Sequence, residues 1–145
     1  MSGGRTFAED YAMGVRRQGE RLNKVSELMG RNMIEIKDTM SVMDYVAEDD
    51  ANQYGEYKYR ATYTYDYIKN FCGGTAMIGK NKIDFLKEKN GRARFFWEFK
   101  DGIYYADYDE EFHTYKTRYH SRNRSDKSND GSVVVDVPFS RLIKV

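Results

Sequence analysis

Apolar residues recur at helical spacing near the start of the chain, and further along they alternate with polar residues. The first pattern predicts a helix from residue 6 to about residue 30, which Gly30 ends. The apolar positions of this predicted helix are Phe7, Tyr11, Val15, Leu22, Val25, Leu28 and Met29.

Short extended segments follow this predicted helix. Residues 33–36 predict one extended piece, residues 44–46 a second strand and residues 55–64 a third, with an acidic turn over residues 48–52 between the last two. Thr75 is a good N-cap residue, so we expect a second helix over residues 76–89 that ends at Asn90 and Gly91.

The last third of the chain reads as β-structure. Residues 94–100 are apolar on both faces over most of their length, which is typical of a central strand. Asp101 and Gly102 form a hairpin signal, and residues 103–108 are the expected returning strand. Residues 115–119 are expected to extend the sheet, 122–131 to form a polar loop, and 133–137 to form a last strand. The element order predicts an α/β fold and not a pure β meander.

Length and composition place limits on the class of protein. At 145 residues, we expect a flexible N-terminus over 1–5 and a single domain over 6–145. The sequence has no apolar run of the roughly 20 residues that span a membrane, and its first residues lack the apolar core of a secretory signal. Cys72 is the only cysteine, which fits a reducing compartment. These features predict an intracellular protein that does not bind a membrane.

Charge is balanced overall but uneven locally. The net charge of +1 argues against a protein that simply coats a polyanion. Acidic residues cluster at 48–50 and 107–111, whereas a basic segment holds Arg118, Arg122, Arg124 and Lys127. A nuclease needs this asymmetry, with acids at a metal and bases along the phosphates. The alternative interpretation of the basic segment is a solvated surface loop.

The most informative chemistry lies between residues 43 and 60. On an extended strand, Glu56, Lys58 and Arg60 point to one face, and Asp44 lies on the preceding strand-like segment. Two carboxylates and a lysine that converge are the parts of a metal-dependent site for phosphodiester cleavage. The same residues are also compatible with a solvated sheet edge.

The spacing Glu-x-Lys occurs three times, at Glu35, Glu56 and Glu98. Glu35 has no aspartate close upstream, and the aspartate upstream of Glu98, Asp84, falls inside a predicted helix. Only Glu56 has an aspartate on a preceding strand and a helix after it. We therefore select Glu56 and Lys58 over Glu98 and Lys100.

Four segments carry a resemblance to a known family: Asp44-Tyr45, Glu56-Tyr57-Lys58-Tyr59-Arg60, residues 75–83 (TAMIGKNKI) and residues 101–105 (DGIYY). With them, residues 40–145 resemble small virus- and phage-encoded members of the PD-(D/E)xK nuclease superfamily. The resemblance implies a restriction-endonuclease-like αβββαβ core, with a mixed sheet flanked by helices. It also implies an endonuclease that cleaves DNA phosphodiester bonds with Mg²⁺ or Mn²⁺.

The resemblance assigns roles to individual residues. Asp44 and Glu56 would bind the metal, with the Tyr57 carbonyl as a further oxygen ligand. Glu20 on the first helix would be an outer carboxylate, and Glu27 is an equal alternative for that role. Lys58 would orient or deprotonate the attacking water, or stabilise the charge on the phosphate.

DNA is the implied partner. Arg60 would contact a phosphate, or else lie at a strand end stacked on a tyrosine, and the basic segment would supply Arg118, Arg122, Arg124 and Lys127. A domain of this size cannot enclose a duplex, so a homodimer is a further expectation. A virus-encoded protein would act in the host cytoplasm or nucleus. The alternatives are a non-catalytic nucleic-acid-binding protein and a viral structural or assembly protein.

Overall fold

A computed structural model describes residues 19–38, 41–71, 73–122 and 130–145. Helix α1 covers residues 19–29, and the earlier part of the predicted helix, residues 6–18, lies outside the described residues, as does the predicted flexible N-terminus. The elements that follow α1 are β1 (Met33–Glu35), β2 (Tyr45–Ala47), β3 (Asp50–Arg60), α2 (Tyr65–Phe71), β4 (Thr75–Gly79), α3 (Lys80–Lys89), β5 (Arg92–Phe99), β6 (Gly102–Asp107), β7 (Thr117–Arg122), β8 (Asp130–Pro138) and β9 (Ile143–Lys144). Single turns of 3-10 helix lie at Glu110–Thr114 and Phe139–Arg141.

Two sheets organise these elements. The larger sheet has the order β1-β2-β3-β5-β6-β9, and the smaller one has the order β4-β8-β7. In the larger sheet β3 and β5 are parallel while the other neighbours are antiparallel, so this sheet is mixed. The crossover from β3 to β5 contains α2, β4 and α3. The described chain is therefore a mixed α/β fold, which confirms the predicted class at this level.

The larger sheet buries apolar side chains on both of its faces. On one face, named here the α3 face, Phe95 and Trp97 pack with Ile83 and Leu86 of α3 in one core cluster. The Trp97 indole N–H donates to the Met77 carbonyl of β4 at 3.3 Å, which ties the two sheets together. On the opposite α1 face, a second cluster contains Val25, Met33, Tyr45, Ala47, Tyr57 and Phe96. Strand β5 is thus buried on both sides, as predicted for a central strand.

Glycine permits the close approach of α1 to this sheet. A side chain at Gly55 would meet the Met33 methyl at 3.2 Å and a Val25 methyl at 3.3 Å. Gly30 has a φ of 68°, a conformation that glycine adopts without strain, and α1 ends there as predicted. Helix α1 can therefore lie directly on β3.

The predicted helix over 76–89 is wrong in its first part. Residues Thr75–Gly79 form β4, in which Ala76 and Ile78 are buried against Val137 and Val135 of β8. The helix begins only at Lys80, so Thr75 starts a strand and does not cap a helix. Pairing with a valine-rich partner strand outweighed the local capping signal. The end of the helix is confirmed, because Asn90 takes the left-handed conformation at φ 52°.

Other predicted strands are confirmed with shifted boundaries. The β5–β6 hairpin is present, but Phe99 pairs with Gly102, so its two turn residues are Lys100 and Asp101. Strand β3 begins at Asp50, within the predicted turn. Strand β7 pairs with β8 in the smaller sheet and does not extend the larger one. Among the described residues, no helix is long and apolar enough to cross a membrane.

Candidate functional site

Asp44 and Glu56 meet on the α3 face, at the junction of β2 and β3. The antiparallel register pairs Tyr45 with Gly55, which brings Asp44 next to Glu56 at the start of β2. The Asp44 backbone N–H donates to Glu56 Oε1 at 2.7 Å. Asp44 and Glu56 are therefore neighbours, and the Asp44 side chain is exposed whereas that of Glu56 is not.

Glu56 is a buried carboxylate in the middle of the sheet. Its side chain is 0% exposed, and its neighbour in the register of β5 is Phe95. Burial in these apolar surroundings raises its pKa to about 7, and the charge of Asp44 also raises it, while Lys82 and Lys58 lower it. Within the described structure, Glu56 Oε2 accepts no hydrogen bond. Buried ionisable groups with shifted pKa values occur at functional sites and also in structural ion-pair networks.

Lys82 is the basic residue closest to this carboxylate. Its Nζ lies 3.3 Å from Glu56 Oε2 and donates to the Val42 carbonyl at 2.6 Å. Its side chain is only 13% exposed. The Val42 hydrogen bond and the burial hold the ammonium group over the buried carboxylate.

Sequence reasoning did not identify Lys82 as a site residue. A signal for it exists in the first turn of α3, which carries Lys80 and Lys82 and no acidic residue. Positive charge at a helix N-terminus opposes the helix dipole. A lysine in that position therefore needs another partner, and for Lys82 the partner is Glu56.

Lys58 lies on the same strand face as Glu56, two residues further along β3. Its side chain is half-buried. Burial lowers the pKa of Lys58, and the positive charges of Lys82 and Arg60 lower it further, while Glu56 and Asp44 raise it. The site thus holds two carboxylates and two lysines. The pKa values of Glu56 and Lys58 are shifted from their usual ranges.

The two other predicted metal ligands are the Tyr57 carbonyl and Glu20. The Tyr57 side chain lies on the α1 face, where its hydroxyl donates to Glu98, while its backbone carbonyl remains between Glu56 and Lys58 on β3. Glu20 lines a cavity of about 480 Å³ together with Arg21, Lys24, Tyr57, Tyr59 and Glu98. Because this cavity opens on the α1 face, the structure does not bring Glu20 to Asp44 and Glu56.

The predicted phosphate contacts are only partly described. Arg60 ends β3, is exposed, and donates to the Tyr59 carbonyl at 2.9 Å. Arg118 donates through Nε to Asp136 Oδ2 at 2.8 Å, and Asp136 is buried, so this arginine has a structural partner. Arg122 ends β7, and Arg124 and Lys127 lie outside the described residues.

The rejected Glu-x-Lys copies lie in other surroundings. Glu98 is on the α1 face, where its carboxylate accepts a hydrogen bond from the Tyr57 hydroxyl. Asp84 is in α3, as predicted, where it pairs with Lys80 at 2.7 Å. Glu35 lies in β1 opposite Tyr45. Asp84 therefore lies on a helix and pairs locally, and the Glu98 carboxylate accepts a hydrogen bond from a tyrosine, unlike Glu56.

Comparison of the chain with protein-family models, with curated proteins and with solved structures found no match. In the described part of the chain, no group of three or more His, Cys, Asp or Glu side chains is arranged to hold a metal ion. The chemistry of the Glu56 site therefore has to be inferred from the side chains that surround it.

Proposed function

We propose that the chain is a Mg²⁺-dependent endonuclease that cleaves DNA phosphodiester bonds, with Asp44, Glu56 and Lys58 as its site. The order of elements supports this proposal. A helix, three antiparallel strands, a helical crossover and a strand parallel to the third follow one another, as in a restriction-endonuclease-like core. In this chain α2 and β4 are inserted in the crossover before α3.

The observation that carries the proposal is the buried Glu56 carboxylate. A charged carboxylate in an apolar core is costly, and well-packed apolar residues in its place are often as stable or more stable. Glu56 nevertheless lies under Asp44 and Lys82, with Lys58 on the same face of its strand. Such an arrangement favours a chemical role over a structural one.

The residues at this position fit a hard divalent cation. Mg²⁺ prefers oxygen ligands, is bound in proteins through one or two carboxylates, and keeps several waters. Asp44 and Glu56 would supply the carboxylates, and the Tyr57 carbonyl a further oxygen. Within the described structure Glu56 Oε2 accepts no hydrogen bond, and the ammonium of Lys82 lies 3.3 Å from it as an ion-pair partner, so an ion that binds this oxygen would take the place of Lys82. When bound, the ion would lower the pKa of a water ligand and stabilise negative charge on the phosphate.

Lys58 would act on the attacking water or on the phosphate. Because burial lowers its pKa, a larger fraction of Lys58 is neutral than in water, and the neutral amine accepts a proton. In its charged form it stabilises the additional negative charge of the transition state. Arg60, further along the same strand, would contact a flanking phosphate.

A second candidate function is non-catalytic nucleic-acid binding. It is favoured by the complete enclosure of Glu56 and by the ion pair with Lys82, which already compensates its charge. In that case the cluster would stabilise the fold, and DNA would bind through surface arginines. The salt dependence of binding distinguishes the two functions, because a phosphate-binding surface loses affinity steeply as salt increases.

A plasmid assay tests the proposal. We expect nicking or linearisation with Mg²⁺ or Mn²⁺ and none with EDTA. Asp44→Asn should abolish cleavage, because the backbone N–H that bonds Glu56 remains while the carboxylate is lost. Asp84→Asn is the matched control, since Asp84 pairs with Lys80 on the exposed side of α3. Salt-sensitive DNA binding without cleavage would favour the second function, and the absence of both would favour a structural or assembly protein.

A further inference from the structure

Lys82 lies where a cation would approach the Glu56 carboxylate. Its ammonium is 3.3 Å from Oε2, the oxygen that accepts no hydrogen bond, and it is fixed by the Val42 carbonyl at 2.6 Å. A buried carboxylate without a compensating positive charge is strongly destabilising. Lys82 therefore supplies at this oxygen the charge that a metal ion would supply.

We propose that Lys82 is a built-in counter-cation of the metal site. It neutralises Glu56 when no ion is bound, and it competes with the divalent ion for Oε2. Lys82 thereby sets the affinity of the site for the ion. This inference rests on the metal site of the proposed function, but it does not depend on DNA cleavage.

Competition between Lys82 and the ion follows from electrostatic repulsion and from the length of the lysine side chain. Two cations next to one carboxylate oxygen repel each other, and the repulsion is strong where the surroundings are apolar. The ammonium must therefore withdraw when an ion binds. Its flexible four-carbon stem and its residual 13% exposure provide a path to solvent. The helix itself stays in place, because Ile83 and Leu86 anchor α3 in the core.

Lys80 provides a matched control. It lies in the same turn of α3, two residues earlier, and pairs with Asp84 at 2.7 Å. Its side chain is 45% exposed, in contrast to that of Lys82. Removing its charge alters the overall charge of α3 by the same amount without altering the charge at Glu56. Any effect specific to Lys82 therefore reports on the site.

The experiment measures Mn²⁺ binding without DNA. The chain is stripped with EDTA, dialysed, and titrated with Mn²⁺ at one neutral pH by calorimetry and by electron paramagnetic resonance of the free ion. We expect Lys82→Met to tighten Mn²⁺ binding by about tenfold or more, the scale on which groups around a metal change its affinity. Lys80→Met and Lys82→Arg should bind like the wild type, because they leave a positive charge at Glu56.

Thermal unfolding with and without Mn²⁺ gives an independent measurement. Mn²⁺ should raise the Tm of Lys82→Met more than that of the wild type, because the ion then replaces the missing charge. If Lys82→Met is unfolded in EDTA, recovery of the wild-type circular dichroism spectrum in Mn²⁺ supports the proposal. Failure to recover it overturns the proposal.

The outcomes separate this inference from the proposed function. A folded Lys82→Met chain that binds Mn²⁺ no more tightly than the wild type overturns the role of Lys82 and leaves the metal site intact. If neither chain binds Mn²⁺, both the inference and the proposed metal-dependent function are overturned.

Discussion

Two copies of the same three-residue spacing lie on adjacent parallel strands and face opposite sides of the sheet. Glu56-x-Lys58 is on β3 and Glu98-x-Lys100 is on β5 or just after it. Tyr59 pairs with Glu98 in the register, so Glu98 points to the α1 face and Glu56 to the α3 face. The two glutamates are thus neighbours in the sheet that lie in different surroundings.

The difference lies in what surrounds each carboxylate. Glu56 is enclosed among core side chains, beside Asp44, Lys58 and Lys82. Glu98 is only partly buried, accepts a hydrogen bond from the Tyr57 hydroxyl, and borders an open cavity. A short motif therefore specifies a site only together with the neighbours that the fold brings to it. Four predictions test this contrast.

The largest expected effect is on cleavage. Glu56→Gln removes a metal-binding charge, so we expect cleavage to fall by about 10²- to 10³-fold, as when one electrostatic group is lost from a reacting centre. Glu98→Gln should stay within about twofold of wild type, because Glu98 does not face the site. The plasmid cleavage rates of the purified wild type, Glu56→Gln and Glu98→Gln chains measure both effects. Equal losses in both variants would end the distinction between the two copies.

The pH dependence of stability is expected to come largely from Glu56. Its pKa rises from 4.5 in the unfolded chain to about 7 in the fold, so the folded state binds the extra proton between these values. Stability in EDTA should therefore fall as pH rises through this window, by up to about 3 kcal/mol, and then level off. Glu56→Gln should flatten this slope. Urea unfolding across the window measures it, and an unchanged slope in the variant would contradict the assignment.

Lys58 should contribute more to the rate of cleavage than Lys100. Lys58→Ala removes the positive group on the Glu56 strand face, so we expect a loss of about 100-fold in kcat, whereas Lys100→Ala has little effect. Lys58→Arg sharpens the result, since arginine keeps its charge and cannot act as a base at neutral pH. Retained activity in that variant would assign Lys58 to electrostatic stabilisation. Full activity of the Lys58→Ala variant would show that Lys58 does not take part in cleavage.

The smallest expected effect concerns the Glu98 copy. Tyr57→Phe removes the hydroxyl that donates to Glu98, so we expect a loss of about 1 kcal/mol in the free energy of unfolding. Cleavage should be unchanged, because this hydroxyl lies on the α1 face. Chemical denaturation and the plasmid assay on the same preparation measure both quantities. A large loss of cleavage would show that the α1 face takes part in the chemistry.

Local patterns in the sequence predicted much of the sheet. Alternation and the apolar run of β5 identified the strands that carry Glu56 and Trp97, and Gly30 and Asn90 marked helix ends correctly. The position of the upstream aspartate also distinguished Glu56 from Glu98, because the aspartate that precedes Glu98, Asp84, was expected in a helix. The strand and helix-end predictions succeeded because they depend on residues close together in the chain.

Contacts between distant segments were not accessible from the sequence. Thr75 begins a strand because β8, about 60 residues later, supplies its partner. Lys82 reaches Glu56 because α3 starts at Lys80, after that strand, and packs on the sheet face to which Glu56 points. Glu20 was expected at the metal and instead lies on the α1 face. In each case the deciding interaction joins residues that no local pattern relates.

The sequence by itself determined that Glu56 and Lys58 share one face of a strand, because side-chain direction alternates along a strand, and it predicted Asp44 on the strand-like segment before them. Only the tertiary structure decided that Glu56 is fully buried and that Lys82 neutralises it. The energy of a charge depends on the solvent and the countercharges around it, and both are set by packing between segments that are far apart in the chain.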